Sequence, residues 1–213
     1  MNGIYFSGTG NTKYCTEAFA QATGGRACSM ESGEALEVLR ASDEIALGYP
    51  IYFSDIPRIV KAFITEHAAM FRGKRVFIIA TMGLFSGDGA GLASRLLRKC
   101  GAVVTGGLHL RMPDCIADVK LLKKTPEENG ALIAAAQKKI LQAAEGIKRG
   151  IYPKDGLSFF HRIAGLFGQR LWFKMHAKKL RERLRIRTER CIGCGICAAH
   201  CPSKSLYIEN NKA

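Results

Sequence analysis

No stretch of this 213-residue sequence is apolar for long enough to span a bilayer, so a membrane-crossing helix is excluded. The N-terminus also lacks the basic-then-apolar region of a secretory signal, because a short apolar strand begins within three residues of Met1. The expected compartment is therefore the reducing cytoplasm. There the eight cysteines read as thiols or metal ligands before they read as disulfides. No internal repeat and no low-complexity tract is present, which argues against a solenoid or a disordered array. No nucleophile–base constellation and no paired carboxylates suggest hydrolytic chemistry, and no catalytic residue is nominated. Acidic residues are few, with 18 Asp and Glu against 32 Lys and Arg, a net charge of +14. The excess is local. Residues 151–190 hold eleven Lys and Arg and three Asp and Glu, and no nucleic-acid recognition motif accompanies them.

What is present is an alternation. Residues 2–6 form an apolar strand and 12–22 suit a helix capped by Asn11 or Thr12. Residues 25–30 are a weak strand and 33–40 a short helix. Residues 44–49 are a buried-type strand ending at Pro50, and 57–71 a helix opened by Pro57. Residues 74–81 (KRVFIIAT) carry the strongest strand pattern. Residues 89–100 suit a helix, 102–111 a strand and 126–149 a long helix. This alternation of uninterrupted apolar strands with helices predicts an α/β fold: a doubly wound, flavodoxin-like parallel sheet of five strands in the order 2-1-3-4-5. Ligands of such sheets sit beyond the carboxyl ends of the strands, where the strand order reverses. The loops to inspect are therefore 7–12, 50–56 and 81–89.

The first of these reads Ser7-Gly8-Thr9-Gly10-Asn11-Thr12. It follows a strand and opens a helix, so its N–H groups converge where a phosphate is favoured. It lacks the Gly-Lys-Ser/Thr ending of a Walker A loop. Lys13 stands where a dinucleotide fingerprint needs a third glycine. Neutral donors for a single phosphate monoester remain.

These six residues resemble the FMN-phosphate loop of flavodoxins, in the same place after strand 1. The resemblance implies FMN as cofactor. It also implies ring contacts from Pro50, Ile51 and Tyr52 after strand 3, with Tyr52 or Phe53 placed to stack, and from Thr81, Met82 and Gly83 after strand 4. The second loop, unlike that of many short-chain flavodoxins, contains no glycine.

Residues 191–202 read CIGCGICAAHCP. Cys191, Cys194, Cys197 and Cys201 are spaced C-x2-C-x2-C-x3-C-P, which resembles the bacterial ferredoxin motif for a 4Fe-4S cluster. Zinc is the alternative, although its usual sites use two separated knuckles. The fourth cysteine of such a run commonly ligates a second cluster, and no second motif follows. The module is therefore expected to be incomplete, with Ser205–Glu209 (SLYIE) as one strand of a ferredoxin half; the alternatives are that Cys201 folds back to complete a single cluster, or that an unusual or exogenous ligand fills the fourth site. Cys15, Cys28, Cys100 and Cys115 read as small buried residues.

Together the two motifs resemble the flavodoxin–ferredoxin fusion family, sometimes called EFR-type ferredoxins. The expected organisation is an FMN-binding domain at 1–150, a basic amphipathic helical linker at 151–185 and an iron–sulfur module at 186–213. Within 157–185, apolar residues at 160, 163, 167 and 171 follow helical spacing among arginines and lysines. That face is expected to pack on the first domain, with peripheral membrane contact as the rival reading. His161 and His176 read as solvated helix residues. The implied function is electron transfer between the 4Fe-4S cluster and FMN, serving soluble redox donor and acceptor proteins. The alternatives are a flavin-dependent reductase of a small oxidised substrate such as a quinone, fed by its own cluster, and a membrane-associated redox subunit anchored by the linker. Nucleic acid is not an expected partner.

Overall fold

A computed structural model describes residues 1–114, 122–158, 175, 186–201 and 205–212. It divides into two compact units, Met1–Leu171 and Trp172–Ala213. In the first, β1 (Asn2–Tyr5), α1 (Asn11–Ala22), β2 (Ala27–Ser29), α2 (Glu34–Ala41) and β3 (Glu44–Pro50) are followed by α3 (Arg58–Glu66) and α4 (Ala68–Phe71). Then come β4 (Arg75–Met82), α5 (Gly89–Lys99), β5 (Val103–Arg111) and α6 (Pro126–Lys148). All strand pairs are parallel, in the expected order β2-β1-β3-β4-β5.

The sheet is buried on both faces because its central strands are apolar on both. In β4 every residue from Val76 to Met82 is buried. One face packs Ala46, Phe77, Ile79, Leu108 and Leu110 against Cys15 and Phe19 of α1 and Ile140 and Ala143 of α6. Phe19 and Phe77 stack with ring centroids 5.1 Å apart. The alternate residues Ile45, Leu47, Tyr49, Val76, Ile78 and Ala80 meet Val38, Leu39, Val60, Ile64, Ala93 and Leu97 of α2, α3 and α5. The period of two along each strand thus feeds two separate cores, and each strand is locked in register by both.

The expectation of one helix over 57–71 is corrected. The helix breaks at His67 into α3 and α4. Thr65 Oγ1 bonds back to the carbonyls of Lys61 and Ala62, at 2.9 and 3.0 Å, and such back-bonding loosens and bends a helix. Helix α6 starts on a capping box: Thr125 Oγ1 accepts from Glu128 N at 3.2 Å, and Glu128 Oε2 accepts from Thr125 N at 2.8 Å. Beyond α6 the chain returns along the free edge of β5. Gly107 N donates to Pro153 O and Asp155 N to Gly107 O, which covers the edge.

In the second unit a 3-10 turn (Thr188–Arg190) precedes the cysteine run, and a single helical turn, α7 (Ile196–Ala199), lies within it. Residues 205–208 are not the expected strand. Instead Glu209 and Lys212 exchange backbone hydrogen bonds of 2.8 and 2.9 Å across Asn210 and Asn211, whose φ angles are 49° and 59°. Asparagine tolerates this left-handed pair, and the turn is closed locally. Most of 157–185, including His161 and His176, lies outside the described residues, as does Cys115. Among the described residues no helix is long and apolar enough to cross a membrane.

Candidate functional site

The loops after β1, β3 and β4 leave neighbouring strands, since β3 lies between β1 and β4. They meet at the carboxyl edge of the sheet, at the reversal of strand order. Gly10 stands at the N-cap of α1 with φ 96°, a left-handed conformation that favours glycine. Asn11, expected as a cap, is instead the first helical residue, and its Nδ2 donates to Pro113 O at 2.8 Å beyond β5. Among the described residues no side-chain hydrogen bond caps α1, whose first N–H groups carry the positive end of the helix. Ser7 Oγ accepts from Gly10 N at 3.1 Å and closes the loop on itself. Gly8, Thr9 and Gly10 are exposed. Thr12 is buried, and its Oγ1 lies 2.7 Å from Thr81 Oγ1 at the end of β4.

The second loop is a tight turn. Tyr52 and Asp55 exchange backbone bonds of 3.0 and 2.9 Å, with Phe53 and Ser54 between them at φ 50° and 60°. Left-handed backbone is a genuine exception for a residue as bulky as phenylalanine, and such exceptions gather at binding sites. The Tyr52 hydroxyl lies 3.3 Å from where a Cβ on Gly8 would stand, so it reaches across to the first loop. Pro50 pairs with Thr81 in register, and Ile51 N donates to Thr81 O at 2.8 Å. Ile51, Thr81 and Met82 are buried, whereas Tyr52 and Phe53 are each 42% exposed.

The third loop is anchored from below. Asp88 is 1% exposed and meets Arg95 through both carboxylate oxygens, at 3.1 and 2.5 Å. The Tyr49 hydroxyl donates to Gly89 O at 3.3 Å. Burial, and then the nearby Asp88 charge, push the Tyr49 phenol far above its ordinary range, so it stays protonated and donating. Above these anchors Gly83 is half-buried, and Leu84 and Phe85 face solvent at 50% and 42% exposure. The arrangement offers neutral hydrogen-bond donors and an uncapped helix end on one side. Buried apolar walls with exposed aromatic rims stand on the other. That donor set fits a phosphate-bearing, ring-containing cofactor.

In the second unit Gly193 and Gly195 take φ 72° and 73°. These turns set the spacing of the cysteines, and a Cβ on Gly193 would run into the carbonyl of Asn211. Cys191 and Cys201 are half-buried, and Cys194 and Cys197 exposed. Ser205 N donates to Cys201 Sγ at 3.3 Å, the kind of amide–sulfur bond that suits a thiolate ligand. Lys212 Nζ donates to Cys191 O at 2.7 Å. Among the described residues, no group of three or more Cys, His, Asp or Glu is arranged to hold a metal ion. A ligand set of thiolates converges when the metal supplies the attraction. The remaining cysteines differ. Cys15 is fully buried and burial pushes its thiol up to about 12, and Cys28 is also buried and raised. Both are inert thiols of the core, and Cys100 is half-buried at the end of α5.

Two further residues shape the site without a signature of their own. Ser54 and Asp88 lie in the second and third loops, and each is buried there, which no local pattern signals.

Residues 4–103 match the family model of the flavodoxin domain, and residues 184–207 match that of the 4Fe-4S binding domain. No curated protein matches the chain. Among solved structures it is similar to a two-electron-reduced flavodoxin from Megasphaera elsdenii, with 25% identity over 68% of this chain and 99% of that one and a TM-score of 0.49. It is also similar to a WrbA-like flavodoxin from Agrobacterium tumefaciens, with 17% identity over 70% and 96% and a TM-score of 0.50. An archaeal flavodoxin is 19% identical over 70% and 99%, with a TM-score of 0.48. The two domain matches, in this order along one chain, make the protein a flavodoxin–ferredoxin fusion with FMN and a 4Fe-4S cluster as its cofactors and electron transfer as its role.

Proposed function

We propose that the protein passes electrons between its 4Fe-4S cluster and FMN, and that it exchanges them with soluble redox proteins at an open flavin edge. FMN supplies a centre that takes one or two electrons, and the cluster one that takes a single electron. The residues of this chain hold and shield them. Ser7, Gly8, Thr9, Gly10, Asn11 and Thr12 hold the phosphate through backbone N–H groups and hydroxyls. Pro50, Ile51 and Tyr52 form one wall for the ring, and the backbone of Thr81, Met82 and Gly83 forms the other. Cys191, Cys194, Cys197 and Cys201 hold the cluster. The working division is a flavin domain at 1–150, a linker at 151–185 and an iron–sulfur module at 186–213.

One observation carries this reading: α1 opens on a left-handed glycine with no side-chain cap, beside exposed Gly8 and Thr9. The half-exposed Tyr52, Phe53, Leu84 and Phe85 support a carrier over an enclosed reductase of small substrates, since they leave the rim wet. The test is a rapid-mixing experiment on oxygen-free, cofactor-loaded full chain with a low-potential one-electron donor. Flavin reduction is expected to follow cluster reduction in the natural chain. In Cys197→Ser the flavin should still bind but fill at least tenfold more slowly. Equal rates in the two proteins would show that the flavin is filled directly and that the cluster is not its donor.

A further inference from the structure

Thr81 lies near the end of β4, and its carbonyl accepts from Ile51 N at 2.8 Å, so its backbone belongs to the ring side of the site. Its hydroxyl belongs elsewhere. Thr81 Oγ1 lies 2.7 Å from Thr12 Oγ1, and the two residues are 3% and 1% exposed. They are 69 residues apart in the chain, on strand and helix elements that do not neighbour each other in sequence. Thr12 is held from a second side: its carbonyl accepts from Thr16 Oγ1 at 2.8 Å. Thr16 fills a slot that exists only because residue 48 of β3 is glycine, since a Cβ there would run into Thr16 Oγ1. The first turn of α1 is thereby pinned to the ends of β3 and β4.

Two hydroxyls carry two protons, and the bond between them uses one. A buried donor without an acceptor is costly, so the second proton calls for an acceptor close to the pair. An anionic oxygen arriving at the first turn of α1 is such an acceptor. We infer that Thr81 is a positioning residue for the phosphate: its hydroxyl donates to Thr12 Oγ1, which leaves the Thr12 proton to be given to the phosphate of FMN. Thr81 does not touch the phosphate; it sets the rotamer and the donor direction of the residue that does. This inference rests on the phosphate placement proposed above.

The experiment compares FMN with riboflavin, which differs by the phosphate ester alone. Flavin-free full chain is titrated with each, following quenching of flavin fluorescence. The natural chain should prefer FMN strongly. In Thr81→Val, of nearly the same shape, that preference should fall about tenfold, because Thr12 loses the partner that aims its proton at the phosphate. Thr81→Ser, which keeps the hydroxyl, should restore it. In Thr12→Val, adding Thr81→Val should cause little further loss, because the two act as one unit. A Thr81→Val protein that loses affinity for both flavins by the same factor would overturn the inference and assign Thr81 to the ring. A Thr81→Val protein with undiminished preference would overturn it too. A natural chain with no preference for FMN would instead remove the phosphate placement, and the inference with it.

Discussion

Single residues show how closely the site is built. Phe53 and Ser54 hold left-handed backbone without being glycine, at a cost of about 1–2 kcal/mol for each residue. Phe53→Gly relieves the strain but adds freedom to the unfolded chain, so a net gain of about 0.5–1 kcal/mol in urea unfolding is expected. It should weaken FMN binding, because the aromatic rim is lost. If FMN binding is untouched, Phe53 has no part in the flavin site. Gly48 is the opposite case. Its backbone is ordinary, but a Cβ would meet Thr16 Oγ1 and come within 3.2 Å of the Tyr5 Cβ. Gly48→Ala should destabilise the flavin domain by about 1–3 kcal/mol, read as a lowered urea midpoint. Of these features the sequence announces the glycines of the first loop, since Gly8 and Gly10 between a strand and a helix have a recognisable purpose. Nothing in Tyr-Phe-Ser-Asp announces a tight turn, because the turn's usual Asn-Gly or Asp-Gly is missing.

At the scale of elements, apolar runs and helical periodicity make the sheet order and nearly every helix legible in the amino-acid sequence. What they do not show depends on contacts distant in the chain. The break at His67 and the Thr12–Thr81 pair are of this kind, and so is the strap of residues 153–155 on β5. That strap is fastened by Asp155, whose carboxylate accepts from His109 N at 3.1 Å and from Lys139 Nζ at 2.5 Å. Partial burial pulls the Asp155 carboxyl upward. The Lys139 ammonium and the His109 amide outweigh it and hold the carboxyl below its ordinary value. A depressed carboxyl stabilises the fold above its unfolded value, and that contribution is lost as pH falls through the folded one. Asp155→Asn should therefore destabilise the domain by about 1 kcal/mol at neutral pH, a modest figure because the side chain is partly solvated. Unfolding curves of the two proteins should converge below about pH 4. A gap that persists unchanged into acid would mean that packing, not charge, fastens the strap.

For the molecule as a whole, two cofactor domains are written in one chain by two short motifs, Ser7–Thr12 and Cys191–Cys201. The cysteine spacing is legible because the ligands of a cluster in so short a module must fall close together in sequence. The convergence of their sulfurs depends on the metal as well as on the peptide, and spacing alone does not express it. The proposed flavin site is distributed over three loops. Its phosphate end is legible because that end is local, and its ring walls are less so because strand order assembles them. The ring placement and the electron path to the flavin both depend on the phosphate end. The direct measurement is the flavin and iron content of Thr9→Glu, purified without oxygen and reconstituted with excess FMN and iron sulfide. A carboxylate in the loop repels the phosphate, so this protein should hold no flavin while keeping the full iron of the natural chain. A Thr9→Glu protein that binds FMN as tightly as the natural chain would contradict the account.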